Sequence, residues 1–227
     1  MSAPLRAIVI GSSDGIGLAL TRALLERRWE VSGLSRSASP VSHAAHRHTI
    51  ADVREERFGQ LLTGELERGR CRLVVYCAGI GEPFDTAGLR EDVATFETNL
   101  VGLARTAACA LPHLAAHAPA TFVGLSSLGD VLRSAASPAY GASKAGVSHY
   151  LESLARAFKP SRVHIVNVRL GFVDTKMSKA PYKPFLLSPE QAAGRILRGV
   201  LVSAPRRRLN IPRRAAVAVR IASLLMP

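Results

Sequence analysis

Ala7-Ile-Val-Ile10, Gly11-Ser-Ser-Asp-Gly15-Ile-Gly17 and Leu18-Ala-Leu-Thr-Arg-Ala-Leu-Leu-Glu-Arg-Arg28 follow one another without a break. The first is a short β-branched apolar run bounded by glycine, the pattern of a buried strand. The last spaces its apolar side chains as a helix does. The three glycines between them are spaced G-x-x-x-G-x-G, not the commoner G-x-G-x-x-G. In a strand–turn–helix of this kind, backbone N–H groups at the helix N-terminus can hold a pyrophosphate. The glycines permit the tight turn, close approach of the phosphates and close helix–strand packing. A glycine-rich turn that binds nothing is the plain alternative, and the flanking strand and helix favour dinucleotide binding over it.

Trp29 to Arg36 reads as a second strand, ending in Ser35-Arg36. An acidic residue at that point would bond the ribose 2′-OH of NAD. A hydroxyl and a guanidinium suit a 2′-phosphate instead, so NADP(H) is expected in preference to NAD(H). Asp14 in the glycine turn pulls weakly the other way.

His43, His46 and His48 have an H-x-x-H-x-H spacing, but no cysteine or carboxylate joins them before Asp52. They read as a solvated loop entering a strand over His48–Val53, and no metal is expected. Glu55–Arg70 reads as an amphipathic helix broken or bent at Gly59 and Gly64, and Arg72–Gly79 as a fourth strand ending in small residues. Asp92–His117 has the periodicity of one long helix with Asn99 inside it. Mid-helix asparagine has low propensity and competes for the backbone, so Asn99 has either a site role or a satisfied core amide.

Strands follow over Ala120–Ser127 and Arg162–Gly171, with a helix starting near Ser137-Pro138 between them. Phe172–Leu187, with Pro181, Tyr182, Pro184 and Phe185, reads as a mobile lid. Ser188-Pro-Glu-Gln191 is a capping box opening a helix to about Val202. A short strand Arg208–Ile211 precedes a basic–apolar helix to Met226.

This alternation predicts an α/β chain with one doubly wound Rossmann domain over residues 1–212 and a mainly parallel sheet of about seven strands. The lid lies near 172–187 and a basic amphipathic helix occupies 213–227. Ligands of such sheets sit at the C-terminal strand ends, where the glycine turn, Arg36, Asp52, Gly79, Ser127 and Gly171 all fall.

Ser127 to Lys144 carries the candidate chemistry. Tyr140 and Lys144 share a helix face four residues apart. An ammonium beside a phenol favours the phenolate and makes the tyrosine a usable acid or base. Ser127, at the end of an apolar run, can hydrogen-bond a substrate oxygen. An exposed Tyr/Lys pair on an ordinary helix is the alternative.

The 227 residues, 48% hydrophobic, suffice for a sizeable core. Cys71, Cys77 and Cys109 show no pairing framework, no signal-peptide layout opens the chain, and no apolar run is long enough to span a bilayer. A reducing, cytoplasmic setting is expected. The formal charge of +13 is uneven, with eight arginines and no acidic residue after Glu190. It reads first as a solvated surface; the basic C-terminus is also a candidate for peripheral contact with an anionic membrane, and nucleic acid is set aside.

Together these motifs resemble the short-chain dehydrogenase/reductase family over roughly residues 5–212. The family spacing of thirteen residues from serine to tyrosine selects Ser127 over Ser126. The resemblance implies an oxidoreductase moving a hydride between NADP(H) and a carbonyl or alcohol. Tyr140 would give or take the proton, Lys144 would lower its pKa and bond the nicotinamide ribose, and Ser127 would hold the substrate oxygen. Asn99 would keep a proton-relay water at Lys144. Gly11, Ser13, Asp14, Gly15, Ile16 and Gly17 would cradle the pyrophosphate. Ser35 and Arg36 would take the 2′-phosphate, Asp52 and Val53 the adenine, Cys77, Ala78 and Gly79 the ribose, and Val173 and Thr175 the nicotinamide end. A homodimer or homotetramer is implied through the helices of Asn99 and Tyr140. Ile10, Cys77 and Leu170 stand where the family has Thr, Asn and Pro, which bears on the stiffness of the cradle more than on chemistry. The rival readings are a non-catalytic NADP-binding sensor and a membrane-surface or nucleic-acid module on the same fold.

Overall fold

The computed structural model describes residues 4–86 and 89–225. Strands β1 (Arg6–Ile10), β2 (Glu30–Ser35), β3 (His46–Ile50), β4 (Cys71–Tyr76), β5 (Ala120–Ser127), β6 (Val163–Leu170) and β7 (Arg208–Ile211) form one sheet in the order β3-β2-β1-β4-β5-β6-β7. Every neighbouring pair is parallel.

Two-residue alternation sends β1 side chains to opposite faces. Ala7 and Val9 join one core with Leu20 and Leu24 of helix α1 (Gly15–Glu26) and Ile196 and Leu197 of α6 (Pro189–Val200). Ile8 and Ile10 join the other, with Leu62 of α2 (Phe58–Glu67), Leu103 and Ala107 of α4 (Gly102–Ala116) and Val147 and Leu151 of α5 (Pro138–Ala157). Covered on both faces, the inner strands need the continuous apolar runs they have. The chain winds outward from β1 through β2 to β3, then from β4 through to β7. The reversal between β1 and β4 opens a crevice at their C-terminal ends.

Several boundaries differ from expectation. The long helix is interrupted: α3 (Leu89–Phe96) runs into a π-helical turn, Glu97–Val101, before α4, and Asn99 lies in that turn. Such a turn inserts an extra residue and is frequent at functional sites. Helix α2 begins at Phe58, and Gly59 and Gly64 lie inside it without ending it. β3 begins at His46, and the histidines there are held, not solvated. His46 Nδ1 meets the Val31 carbonyl and Nε2 the Ser39 hydroxyl, both at 3.1 Å, and His48 Nε2 meets Ser35 Oγ at 2.7 Å. Cross-strand pairing with β2 places the two rings where those partners reach them.

The capping box is present: Ser188 accepts from the Gln191 amide while the Gln191 side chain accepts from the Ser188 amide. The segment between β6 and α6 is closed at its base by a bridge of Val173 to Leu187. Helix α7 (Arg213–Leu225) buries Ala215 and leaves Val217 and Ile221 exposed; Met226 lies outside the described residues. Among the described residues no helix is long and apolar enough to cross a membrane.

Candidate active site

The glycine turn is built by close approach. Gly11 has φ +82°, donates to the Leu34 carbonyl at 2.7 Å, and leaves space for no side chain, because a Cβ would come within 2.6 Å of the Ala78 nitrogen. A Cβ on Gly17 would overlap the Gly11 carbonyl oxygen. The α1 N-terminus is thereby drawn against the ends of β1 and β4, with its first-turn amides beyond the reach of intrahelical acceptors. Asp14 caps the helix by accepting from the Gly15 amide at 2.7 Å, and Lys176 pairs with its carboxylate at 2.8 Å. Lys176, and after it the Gly15 amide, holds the Asp14 carboxyl below the ordinary range.

A cavity of about 600 Å³ follows the strand ends from this turn. Of the candidate cofactor contacts, Gly11, Ser13, Asp14, Gly15, Ile16, Gly17, Ser35, Arg36, Asp52, Val53, Cys77, Ala78, Gly79 and Thr175 line it and Tyr140 and Lys144 do not; Ser37, Ile80, Lys176 and Met177, to which the motifs did not point, line it too. Val173 is not among them; its side chain is in the core. The Ser35 hydroxyl is already engaged, donating to the Ser37 carbonyl at 3.0 Å and meeting His48. Arg36 is exposed beside it. The Asp52 carboxylate is gripped by Arg54, through its amide at 2.9 Å and Nη2 at 2.7 Å, and that grip holds it below the ordinary range.

The candidate chemical groups stand behind Gly79 and Gly81 of the crevice wall. Ser127 ends β5 and caps a 3-10 turn, Leu128–Val131, by accepting from the Gly129 amide at 3.1 Å. Its hydroxyl also stands close enough to the phenol of Tyr140 to favour the ionised form. Lys144, one turn along α5 and 6% exposed, donates to the Leu125 carbonyl at 3.0 Å, and its Nζ lies 5.7 Å from the centre of the Tyr140 ring. Burial pushes the ammonium down to about 8. Burial pushes the phenol up, and the neighbouring Ser127 hydroxyl works against that rise. Lysine was expected to depress the phenol; here Lys144 is turned to a carbonyl and is itself desolvated.

Asn99 is 1% exposed, and its amide makes a reciprocal pair with Ile80: it accepts from the Ile80 amide and donates to the Ile80 carbonyl, each at 2.9 Å. It also donates to Ser143 Oγ at 3.0 Å, which donates to the Tyr140 carbonyl at 2.8 Å. Its side chain therefore joins the loop after β4 to the turn of α5 that bears the tyrosine. Gly79 lies between these groups: a Cβ there would stand 3.2 Å from Asn99 Oδ1 and 3.5 Å from both Lys144 Nζ and Met177 Cε.

The family model of the short chain dehydrogenases matches residues 6–183. The chain belongs to that family. This short-chain dehydrogenase is 33% identical, over 75% of its length and 74% of the relative's, to the cis-4-hydroxycyclohexanecarboxylate dehydrogenase of Sinomonas cyclohexanicum. It is 29% identical to the 3-oxoacyl-(acyl-carrier-protein) reductase FabG of Vibrio harveyi, over 94% of its own chain and 87% of that one. Its fold matches that of a Burkholderia cenocepacia short chain dehydrogenase solved in complex with NADP, with a TM-score of 0.82 at 20% identity over 96% and 92% of the two chains. A short-chain dehydrogenase is an oxidoreductase of a family that binds a nicotinamide cofactor. The present residues fit that group: the α1 N-terminus for phosphates, and a crevice whose wall at Gly79 and Gly81 packs against Lys144 and the Tyr140 ring.

Proposed function

We propose that this short-chain dehydrogenase is an NADPH-dependent carbonyl reductase with Tyr140 as its general acid. The observation that carries the reading is buried Lys144 against the Tyr140 ring, with the Ser127 hydroxyl beside the phenol, next to the glycines that line the crevice. Gly11 to Gly17 would hold the pyrophosphate at the helix N-terminus, and Arg36 would meet a 2′-phosphate. When bound, the nicotinamide supplies the hydride.

Tyr140 Oη donates its proton to the carbonyl oxygen as negative charge develops there. Ser127 donates a second hydrogen bond to the same oxygen, and both side chains fix its position. The phenolate left behind would face the Lys144 charge, whose Nζ lies 5.7 Å from the ring centre. In the oxidative direction the same groups take the proton back. The two relatives act, by their names, on cis-4-hydroxycyclohexanecarboxylate and on a 3-oxoacyl-(acyl-carrier-protein). With Lys179, Lys183, Tyr182 and Phe185 in the segment after β6, they support a carbonyl compound with an apolar body and an anionic or acyl end. Exposed Val93, Phe96 and Val101 on α3 and the π-helical turn support assembly with a second copy over that face.

The test is NADPH oxidation against a panel of such carbonyl compounds, with Tyr140→Phe as the paired variant. Turnover is expected to fall by about a hundredfold or more, the usual contribution of a positioned acid, while NADPH binding persists. Near-wild-type turnover in the variant refutes the assignment.

A further inference from the structure

The most buried ion pair among the described residues stands beside Ser127, and the proposed chemistry does not use it. Asp130 belongs to the 3-10 turn that Ser127 caps, and Arg169 lies on β6, in register with Ser126 of β5. Their side chains are 3% and 11% exposed. Arg169 grips both carboxylate oxygens, Nε donating to Oδ2 at 2.7 Å and Nη2 to Oδ1. Nη2 also reaches the Leu128 carbonyl at 3.5 Å, and Nη1 reaches Asn210 Oδ1 on β7 at 3.4 Å. Ser148 donates to Asp130 Oδ2 from the other side. Ser148 is one helical turn beyond Lys144 and two beyond Tyr140, on the same face of α5.

One carboxylate therefore ties three elements together: the turn starting at Ser127, the strand beside it, and the helix face that carries Tyr140 and Lys144. A buried ion pair is a weak source of stability, because desolvation offsets most of the attraction. Its geometric and electrostatic effects are local. The Asp130 charge opposes ionisation of Tyr140. The other charged groups around the phenol are Lys144 on its own helix, Arg169 behind Asp130, and Glu82, which follows Gly81 packed on the ring and is paired with Lys179.

We infer that Asp130 and Arg169 are positioning residues for the Ser127–Tyr140 couple: the carboxylate anchors the turn that sets Ser127 against the phenol, and the guanidinium balances the charge this anchor brings. The inference rests on the proposed role of Tyr140 as acid, but its first test needs no substrate. The phenol of Tyr140 is titrated by ultraviolet difference absorbance, each protein against its own Tyr140→Phe counterpart. Asp130→Asn is expected to ionise at lower pH than wild type and Arg169→Met at higher pH, each by about one unit, the size of a nearby unscreened charge. The double variant Asp130→Asn/Arg169→Met is expected to return close to wild type, since neither charge remains.

In carbonyl reduction, Arg169→Met is expected to lose about tenfold in kcat, with NADPH affinity unchanged because the pair lies outside the cofactor crevice. Adding Asp130→Asn should recover most of that loss, which a merely structural defect would not allow. Identical phenol titrations in all variants, or a double variant as impaired as Arg169→Met, overturn the inference. If Arg169→Met fails to fold, the near-isosteric Asp130→Asn decides the matter by its own titration. Active Tyr140→Phe enzyme would refute the acid assignment while leaving the titration result standing, so the two failures are distinguishable.

Discussion

Asp14 caps helix α1 through the Gly15 amide, and the same carboxylate receives Lys176 Nζ at 2.8 Å, so the candidate phosphate turn and the segment after β6 are joined by one charge. An uncompensated carboxylate here would repel the pyrophosphate that the helix N-terminus attracts. Lys176 offsets that repulsion. Both groups are more than half exposed, so solvent and salt limit the effect.

Lys176→Ala is accordingly expected to weaken NADPH binding by no more than about fivefold. Asp14→Asn in the same background should restore it, because asparagine caps a helix as well as aspartate does and carries no charge. Fluorescence titration of NADPH at low and high salt reads both effects. Independent, additive losses from the two substitutions would show that Lys176 does not act through Asp14.

Asn99 yields a stability prediction. Its amide satisfies both backbone groups of Ile80 and reaches Ser143. Asn99→Leu has a similar volume but leaves those groups unpaired, at a cost of about 2–4 kcal/mol. Urea unfolding should record that loss. NADPH affinity should fall as well, because the loop after β4 that lines the crevice loses its tie to α5. A variant as stable as wild type would mean that the Ile80 groups find other partners.

What was legible in the sequence is what depends on neighbours along the chain. The β1–glycine turn–α1 unit shows itself because apolar period, glycine spacing and helix start are all local, and the parallel alternation follows from them. The π-helical turn at Asn99 was hidden, since one extra residue in a helix barely disturbs the apolar period on either side. Ser35 read as available because its partner His48 is thirteen residues away, on a strand whose register only the sheet defines. The same holds for Asp130 and Arg169, thirty-nine residues apart, whose pairing needs β5 and β6 side by side. Lys176 lies on a segment without apolar period, and its reach to Asp14 depends on the Val173–Leu187 bridge.

Under the proposed use of NADP(H), Arg36 would bear the cofactor preference alone, given that the Ser35 hydroxyl is engaged with His48 and the Ser37 carbonyl. Arg36→Ala is expected to weaken NADPH by about tenfold or more and NADH by less than about twofold, as the loss of one charge-assisted contact to a phosphate predicts. Ser35→Ala should leave the ratio nearly unchanged. Paired titrations with both cofactors measure it; equal losses for the two refute the preference for the 2′-phosphate.

Lys144 links the site to pH-dependent stability. Its ammonium is buried, and its pKa falls to about 8 from an ordinary 10.5. Below about pH 8 the folded and unfolded chains both carry the proton, and the folded one bears the full cost of burying the charge. Between about 8 and 10.5 the folded chain has lost the proton while the unfolded chain keeps it. The unfolded state then binds more protons, so stability rises with pH across that window. A depression of this size corresponds to a gain of roughly 3 kcal/mol, complete once both states are neutral. Lys144→Met removes the group and the slope. Urea midpoints for wild type and variant, measured from pH 7 to 10.5 without cofactor, should start with Lys144→Met well ahead and converge as pH rises. Other groups that titrate in the window are common to both proteins and cancel in the difference. Parallel curves would mean that the folded chain keeps this ammonium protonated throughout, held by the Leu125 carbonyl and the Tyr140 ring at no net cost.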